Sequence, residues 1–424
     1  MKAIILAAGK GTRLRPITET TPKPLIPILC KPLIEWHLDA LMSIDEIDEI
    51  LIVTSYMEHK IRRYIDNLKL KKPVRFVHQD KELGTGDAVL KAIEFVDDDD
   101  ETLIIYGDVF LRGWGLYKKL ARYEGNYITA VPVDNPKEYG VIVTDGDKFI
   151  GVIEKPTTPP SNIINAGIYK FKAKHIKEHT SLEFSPRGEL EFTDIVAKIA
   201  KTNLIKVYRL PHSSWIDIGR PWNVIDANKM ALQDIQSDIK GVIEPNTYIK
   251  GPVYVSEKTI IKSGTYVEGP VFIDQEAEIG PNARIRPNTV ICRGARIGFC
   301  VEVKESIIFE HAHISHLSYV GDSIICEHVN FGAGTVTANL RFDEKPVKMF
   351  IKGQLVSTGR RKFGAVVGAY VKTGINVSIM PGVKIGSYSW ISPGAVVTRD
   401  VPPRSFYKWK GTEYIEDLNL DIKW

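Results

Sequence analysis

Two hydrophobic periods divide the 424-residue chain. Up to about residue 222, short β-branched runs alternate with stretches at helical spacing. Lys2 to Leu6, Glu49 to Tyr56, Val74 to Gln79 and Thr102 to Asp108 read as strands, whereas Ile34 to Ser43 and Gly86 to Val96 read as helices. This alternation predicts an α/β layered domain on a largely parallel sheet. Ligands of such sheets collect beyond the carboxyl ends of the strands, where a glycine loop after Leu6 and the acid Asp108 both fall.

After a helical connector at about Asn223 to Ser237 the period becomes six. Aliphatic residues stand at 243, 249, 255 and every sixth position up to Val303, with small residues such as Ala277, Ala283 and Ala295 four places after an aliphatic. Six fits neither a helix nor a flat sheet. It does fit a solenoid of short strands, with the aliphatic pointing inward and the small residue at a tight corner. The phase slips near Phe309 to Phe331, breaks over Arg341 to Val366, and resumes from Val367 to Val397. Such slips mark loops or a site.

Composition narrows the class. With 44% hydrophobic and 25% charged residues the chain is that of a soluble globular protein, and a net charge of +4 implies neither a nucleic-acid nor a membrane partner. The basic runs Lys69 to Lys72 and Arg360 to Lys362 read as solvated surface. Four cysteines without a CxxC pair are too few for a disulfide scaffold, which points to a reducing cytoplasm. No signal-peptide order opens the chain, and no apolar run approaches the ~20 residues of a membrane span.

The most specific stretch is LAAGKGTRLRPIT followed by PKPL at Pro22 to Leu25. Glycines at 9 and 11 let backbone N–H groups close around phosphate oxygens, and Arg13 and Lys23 add cations. A dinucleotide fingerprint is excluded because Leu14 stands where a third glycine is needed, and no GxxxxGK[ST] occurs. Chemistry on a triphosphate gathers negative charge in one place, so it demands positioning, cations and a metal. Asp108 in YGDV and Asp217 in SWIDIGRP are candidate oxygen ligands for Mg²⁺, although an Asp at a strand end also serves as a turn or cap residue.

The N-terminal string resembles the sugar-1-phosphate nucleotidyltransferases, which have a Rossmann-like α/β domain. The resemblance implies a nucleotide site formed by Ala7, Ala8, Gly9, Gly11, Thr12, Gln79, Gly84 and Thr85, with the GTG version closest to enzymes using UTP or dTTP. It places Tyr139, Gly140, Glu154, Lys155, Asn165 and Gly167 at the sugar phosphate. From the residues alone, Gln79 reads rather as a surface amide, Glu154 as a salt-bridged acid and Asn165 as a turn residue.

The repeats resemble the left-handed parallel β-helix of hexapeptide acyltransferases, which are generally trimers. Repeats alone leave open a solenoid that only assembles or regulates. Where the phase slips, HISHLSYVGD and VNFGAGTVTANLRFDEK bring chemistry: an imidazole is a natural general base for an amine attacking a thioester, with His316 as base and Tyr319 orienting the amine. His311 and His313 read as surface or packing residues. Both halves, in this order, resemble the bifunctional N-acetylglucosamine-1-phosphate uridyltransferases, and that resemblance puts Arg286, Lys304, His316, Tyr319, Asn330, Asn339 and Lys345 at an acetyltransferase site. Arg286, Lys304 and Lys345 would hold phosphate, and Ala333, Ile375 and Pro393 would lie along acetyl-CoA. Leu340 replaces a tyrosine of the bacterial enzymes and the 346–366 segment is longer, as in archaeal relatives, which widens the expected sugar range to galactosamine 1-phosphate.

The expected organisation is a nucleotidyltransferase domain at 1–222, a helical linker at 223–240, a β-helix acetyltransferase domain at 241–403 and a tail at 404–424. The expected function is acetylation of a hexosamine 1-phosphate and Mg²⁺-dependent uridylylation of the product by a cytoplasmic homotrimer. A single-activity thymidylyl- or uridylyltransferase and a non-catalytic regulatory subunit remain as alternatives.

Overall fold

The computed structural model describes residues 1–186, 188–409 and 413–417. Its contacts group into two units. One comprises Met1–Lys10, Pro22–Leu25 and Pro32–Ile218, and the other Gly11–Thr21, Ile26–Lys31 and the chain from Gly219 onward.

A nine-stranded sheet organises the first unit. Strands Val74–His78, Glu49–Thr54, Lys2–Leu6 and Glu101–Tyr106 lie side by side and parallel. Strand Ile163–Lys172 then runs antiparallel between Glu101–Tyr106 and Tyr127–Pro132, so the sheet beyond it is mixed. The continuous apolar runs follow from burial on both faces. Ala3, Ile5, Ile50, Ile52, Leu103 and Ile105 join the core on one face, and their neighbours Ile4, Leu51, Val53 and Ile104 join the other. Helices cover both faces, Leu33–Met42 and Trp114–Arg122 packing on the first, Thr85–Ile93 and Phe192–Ile199 on the second. The parallel half places its carboxyl ends, with Ala7, Gln79 and Gly107, along one edge.

From Gly219 onward the second unit runs through helix Pro221–Leu232 and winds into a left-handed parallel β-helix. Among the described residues its three sheets hold eight, ten and eight strands. Register confirms the hexads: Ile261 pairs with Ile279, Ile279 with Ile297 and Ile297 with Ile314, one coil after another. The repeating aliphatics from Val255 to Val303 are fully buried. Each such burial is worth about 1.5–3 kcal/mol, more than the ~1 kcal/mol net of a ladder hydrogen bond, so this inner column holds together strands of two or three residues.

The phase slip has a defined origin. Val303 to Ile308 and Val320 to Ile325 are steps of five residues at the same corner in successive coils, and the next coil inserts residues 338–365 there. That insertion contains the hairpin Lys348–Ile351 with Gln354–Ser357. Arg360 beyond it is not solvated surface, as its composition suggested. Its guanidinium pairs with Asp226 and Glu305 and is 17% exposed. The tail adds strand Ser405–Trp409 to the coil at Trp390–Ile391, with Tyr407 in the core.

The expectation of wholly reduced cysteines also requires correction. Cys30 is joined to Cys292 in a disulfide, leaving Cys300 exposed and Cys326 buried as free thiols. The segments that group with the β-helix are further held by Ser387 N–H donating to Glu19 at 2.7 Å and Thr21 to Glu327 at 3.4 Å. No described helix is long and apolar enough to cross a membrane.

Candidate functional site

In the first unit, strand Trp215–Asp217 pairs antiparallel with Val109–Leu111 and sets Asp217 opposite Val109. The Ile218 N–H donates to the Asp108 carbonyl at 2.8 Å, so the two aspartates, far apart in sequence, share one end of a two-stranded ribbon. Lys23, 9% exposed, donates to Asp108 Oδ2 at 2.5 Å. Beneath them His37 is fully buried with Nδ1 2.8 Å from the Tyr117 hydroxyl. Burial drives its imidazole down to about 4 against the pull of Asp108, which keeps the site's floor neutral. Among the described residues no three or more His, Cys, Asp or Glu gather to hold an ion. The oxygen-only pair suits a hard cation whose remaining ligands are water and phosphate.

The glycine loop leaves the sheet at Ala7, whose N–H donates to Val53 O at 2.8 Å. A Cβ on Gly9 would face open space, an approach that a phosphate can use. Gly11, Thr12 and Arg13 group with the second unit; Gly11 has φ 61 and accepts from the Thr18 hydroxyl at 2.8 Å. Gln79 is not a surface amide. It is 2% exposed, and its Nε2 donates to Asp87 at 2.7 Å and Gly84 O at 3.2 Å, which commits its carbonyl oxygen to face elsewhere. Thr85 starts helix Thr85–Ile93 and accepts from Phe192 N–H at 3.0 Å.

The segments expected at the sugar phosphate meet at a bulge. Strand Ile163–Lys172 slips register between Asn165 and Tyr169, turning out Ala166–Ile168. Gly167 there has φ 76, and a Cβ would press within 2.9 Å of the Tyr106 ring. Asn165 donates to Tyr169 at 2.5 Å and accepts from Gly167 N–H at 3.0 Å, and Tyr169 donates to Tyr106 at 3.0 Å. Burial pushes both phenols well above their ordinary pKa, so they stay protonated donors. Trp215 donates to Ala166 O at 2.8 Å, tying this bulge to the strand that ends in Asp217. Gly140 pairs with Glu154, and a Cβ on it would approach the Glu154 carboxylate to 2.8 Å. Lys155 follows with φ 44 and donates its N–H to Tyr139 O at 3.0 Å. Tyr106 and Tyr169 were missed by sequence reasoning, because they resemble core aromatics of a buried strand.

In the second unit a cluster forms at the shortened corners. Lys304 Nζ lies 3.0 Å from both Asp322 oxygens, Asn339 Nδ2 is 2.5 Å from Asp322 and 3.1 Å from the Tyr319 hydroxyl, and Arg286 pairs with Glu302 at 2.9 Å. Glu302 is the register partner of Tyr319 in the next coil. Burial, then the Asp322 charge, raises the Tyr319 phenol. His316 ends strand His313–His316 and is exposed, with the Ser318 hydroxyl donating to its carbonyl at 2.7 Å. His316, Asn330 and the exposed Lys345 lie outside the hydrogen-bonded cluster. Ala333 accepts from Asn376 N–H at 2.7 Å, Ile375 is 55% exposed, and Pro393 is exposed one coil further. His311 stacks on His328 at 5.2 Å, starting a ring ladder through Tyr370 and Tyr388, a packing role.

Comparison with known proteins agrees with both halves. The nucleotidyl transferase family matches residues 2–234, the GMPPB C-terminal domain residues 267–372, and six bacterial transferase hexapeptide repeats residues 364–399. The chain is 50% identical over 410 residues to the bifunctional sugar-1-phosphate nucleotidylyltransferase/acetyltransferase of Sulfurisphaera tokodaii, covering 96% of this chain and 100% of that one. It is 47% identical over 408 residues to the bifunctional protein GlmU of Methanocaldococcus jannaschii, covering 96% and 97%. A more distant relative, the bifunctional protein GlmU of Pseudothermotoga lettingae, is 28% identical over 454 residues, covering 95% and 94%.

Proposed function

This chain belongs to the family of bifunctional sugar-1-phosphate nucleotidylyltransferase/acetyltransferases, and from that premise we propose that it acetylates glucosamine 1-phosphate and then uridylylates the product. The observation that carries the first-unit reading is the ribbon that unites Asp108 and Asp217 beside Lys23. These carboxylates would hold Mg²⁺, which supplies positive charge to phosphate oxygens. Lys23 and, on the sequence motif, Arg13 bind the same polyanion. On the same sequence motif, Ala7, Ala8, Gly9, Gly11 and Thr12 wrap the phosphates. Gln79, Gly84 and Thr85 read the pyrimidine of UTP or dTTP. Tyr139, Gly140, Glu154, Lys155, Asn165 and Gly167 seat the sugar phosphate. Its phosphate oxygen attacks the α-phosphorus, and pyrophosphate leaves.

On the β-helix, His316 takes a proton from the amine as nitrogen attacks the thioester of acetyl-CoA. A C–N bond forms, the C–S bond breaks, and the thiolate leaves to be protonated. Arg286, Lys304 and Lys345 bind the sugar phosphate, Tyr319, Asn330 and Asn339 orient the amino sugar, and Ala333, Ile375 and Pro393 line the coenzyme arm. Resemblance further supports a homotrimer working in the cytoplasm, with galactosamine 1-phosphate as a second acceptor.

A metal titration against a panel of nucleoside triphosphates tests the first reaction. Pyrophosphate release with N-acetylglucosamine 1-phosphate is expected to require added Mg²⁺, to stop with chelator, and to favour UTP or dTTP over purine nucleotides. Equal turnover in chelator would remove the metal role from Asp108 and Asp217.

A further inference from the structure

Lys304, Asp322 and Asn339 stand at the same corner of three consecutive coils, the corner that the five-residue steps tighten. The Asp322 side chain is 2% exposed. Its backbone is fixed on both sides, with its N–H donating to Lys304 O and its carbonyl accepting from Gly364 N–H, each at 2.8 Å. A carboxylate offers only acceptors, so whatever faces it must donate. Lys304 Nζ does so at 3.0 Å to each oxygen, and Asn339 does so through Nδ2 at 2.5 Å. The same Nδ2 reaches the Tyr319 hydroxyl at 3.1 Å. With its NH₂ group held there, the Asn339 amide turns its Oδ1 the other way. An amide flipped by 180° would set oxygen against carboxylate, which a buried site does not tolerate.

We propose that Asp322 is a positioning residue for acetyl transfer: its carboxylate holds the Lys304 ammonium in place and selects the Asn339 orientation that presents Oδ1 to the amine of the hexosamine 1-phosphate. This rests on the reading of Lys304 and Asn339 as sugar-phosphate contacts. Gly321 serves the same arrangement, since a Cβ there would come within 2.7 Å of Asn339 Nδ2. The carboxylate also neutralises Lys304 within the wall, so the ammonium needs no solvent partner to stay ordered.

Asp322→Asn keeps the size and loses the selection, because an amide can present either a donor or an acceptor to Asn339. In the full chain, KM for glucosamine 1-phosphate is expected to rise about tenfold or more, with kcat less affected. KM for acetyl-CoA and pyrophosphate release by the same preparation stay within about twofold of wild type. An unchanged KM for the amino sugar overturns the proposal. So does an equal fall in both activities with a lowered Tm, which would make Asp322 merely structural. Absence of thiol release by the wild-type chain would instead sink the acetyltransferase reading, and Asp322's role with it. If Asp322→Asn does not fold, a structure of the wild-type chain with glucosamine 1-phosphate decides. Asn339 Oδ1 within about 3.2 Å of the amine supports the assignment, and Nδ2 facing the sugar contradicts it.

Discussion

Asp217 gains its meaning from a partner that its own neighbourhood does not contain. In SWIDIGRP it is one strand-end acid among many, and only the pairing of Trp215–Asp217 with Val109–Leu111 sets it beside Asp108. Asp217→Ala is therefore expected to cut pyrophosphate release by about a hundredfold or more while thiol release from acetyl-CoA stays at the wild-type level. A stopped assay of both products in one preparation checks this, and undiminished pyrophosphate release would exclude Asp217 from the site. Candidates with a local signal were recognisable from sequence as proposals: the glycine loop, Lys23 and His316 stand out because of their neighbours. Residues that act through another side chain were not. Asp322 lies inside the quoted HISHLSYVGD segment without a signal that its carboxylate meets Lys304 one coil earlier.

Among elements, the hexads were legible because a six-residue period has one physical solution, and Val255 to Val303 are accordingly fully buried. The shortened corners were visible only as a lost phase. A five-residue step keeps the aliphatic inward at Ile308 and Ile325 but changes what the corner projects, which is how Lys304 and Asp322 come to face each other. In the first unit the parallel half followed from continuous apolar runs. The antiparallel half did not, since a strand buried on both faces carries the same pattern whichever way it runs. The bulge at Ala166–Ile168 was hidden for a related reason, its one sequence trace being a glycine that needs φ 76.

Across the whole molecule, contacts cut across chain order. Residues 11–21 and 26–31 group with the C-terminal unit, and Cys30 bonds to Cys292 across a separation of 262 residues, which no spacing rule can reveal. Closing so long a loop constrains the unfolded chain, and such a crosslink contributes typically about 2–4 kcal/mol. Thermal melts are expected to show a lower Tm for the β-helix transition after reduction, the same lowering in Cys30→Ser without reductant, and none in Cys300→Ser, whose thiol is exposed. Identical melts for the oxidised chain and Cys30→Ser would show that the crosslink contributes nothing.

In the proposed function one chain carries two chemically separate sites acting in sequence. Complementation separates two sites from one: purified Asp108→Ala and His316→Ala are each supplied with glucosamine 1-phosphate, acetyl-CoA, UTP and Mg²⁺, alone and mixed, and the nucleotide sugar formed is measured. Almost no UDP-N-acetylglucosamine is expected from either variant alone, with recovery in the mixture. Formation at the wild-type rate by His316→Ala alone, or none from the mixture of two folded variants, would contradict it.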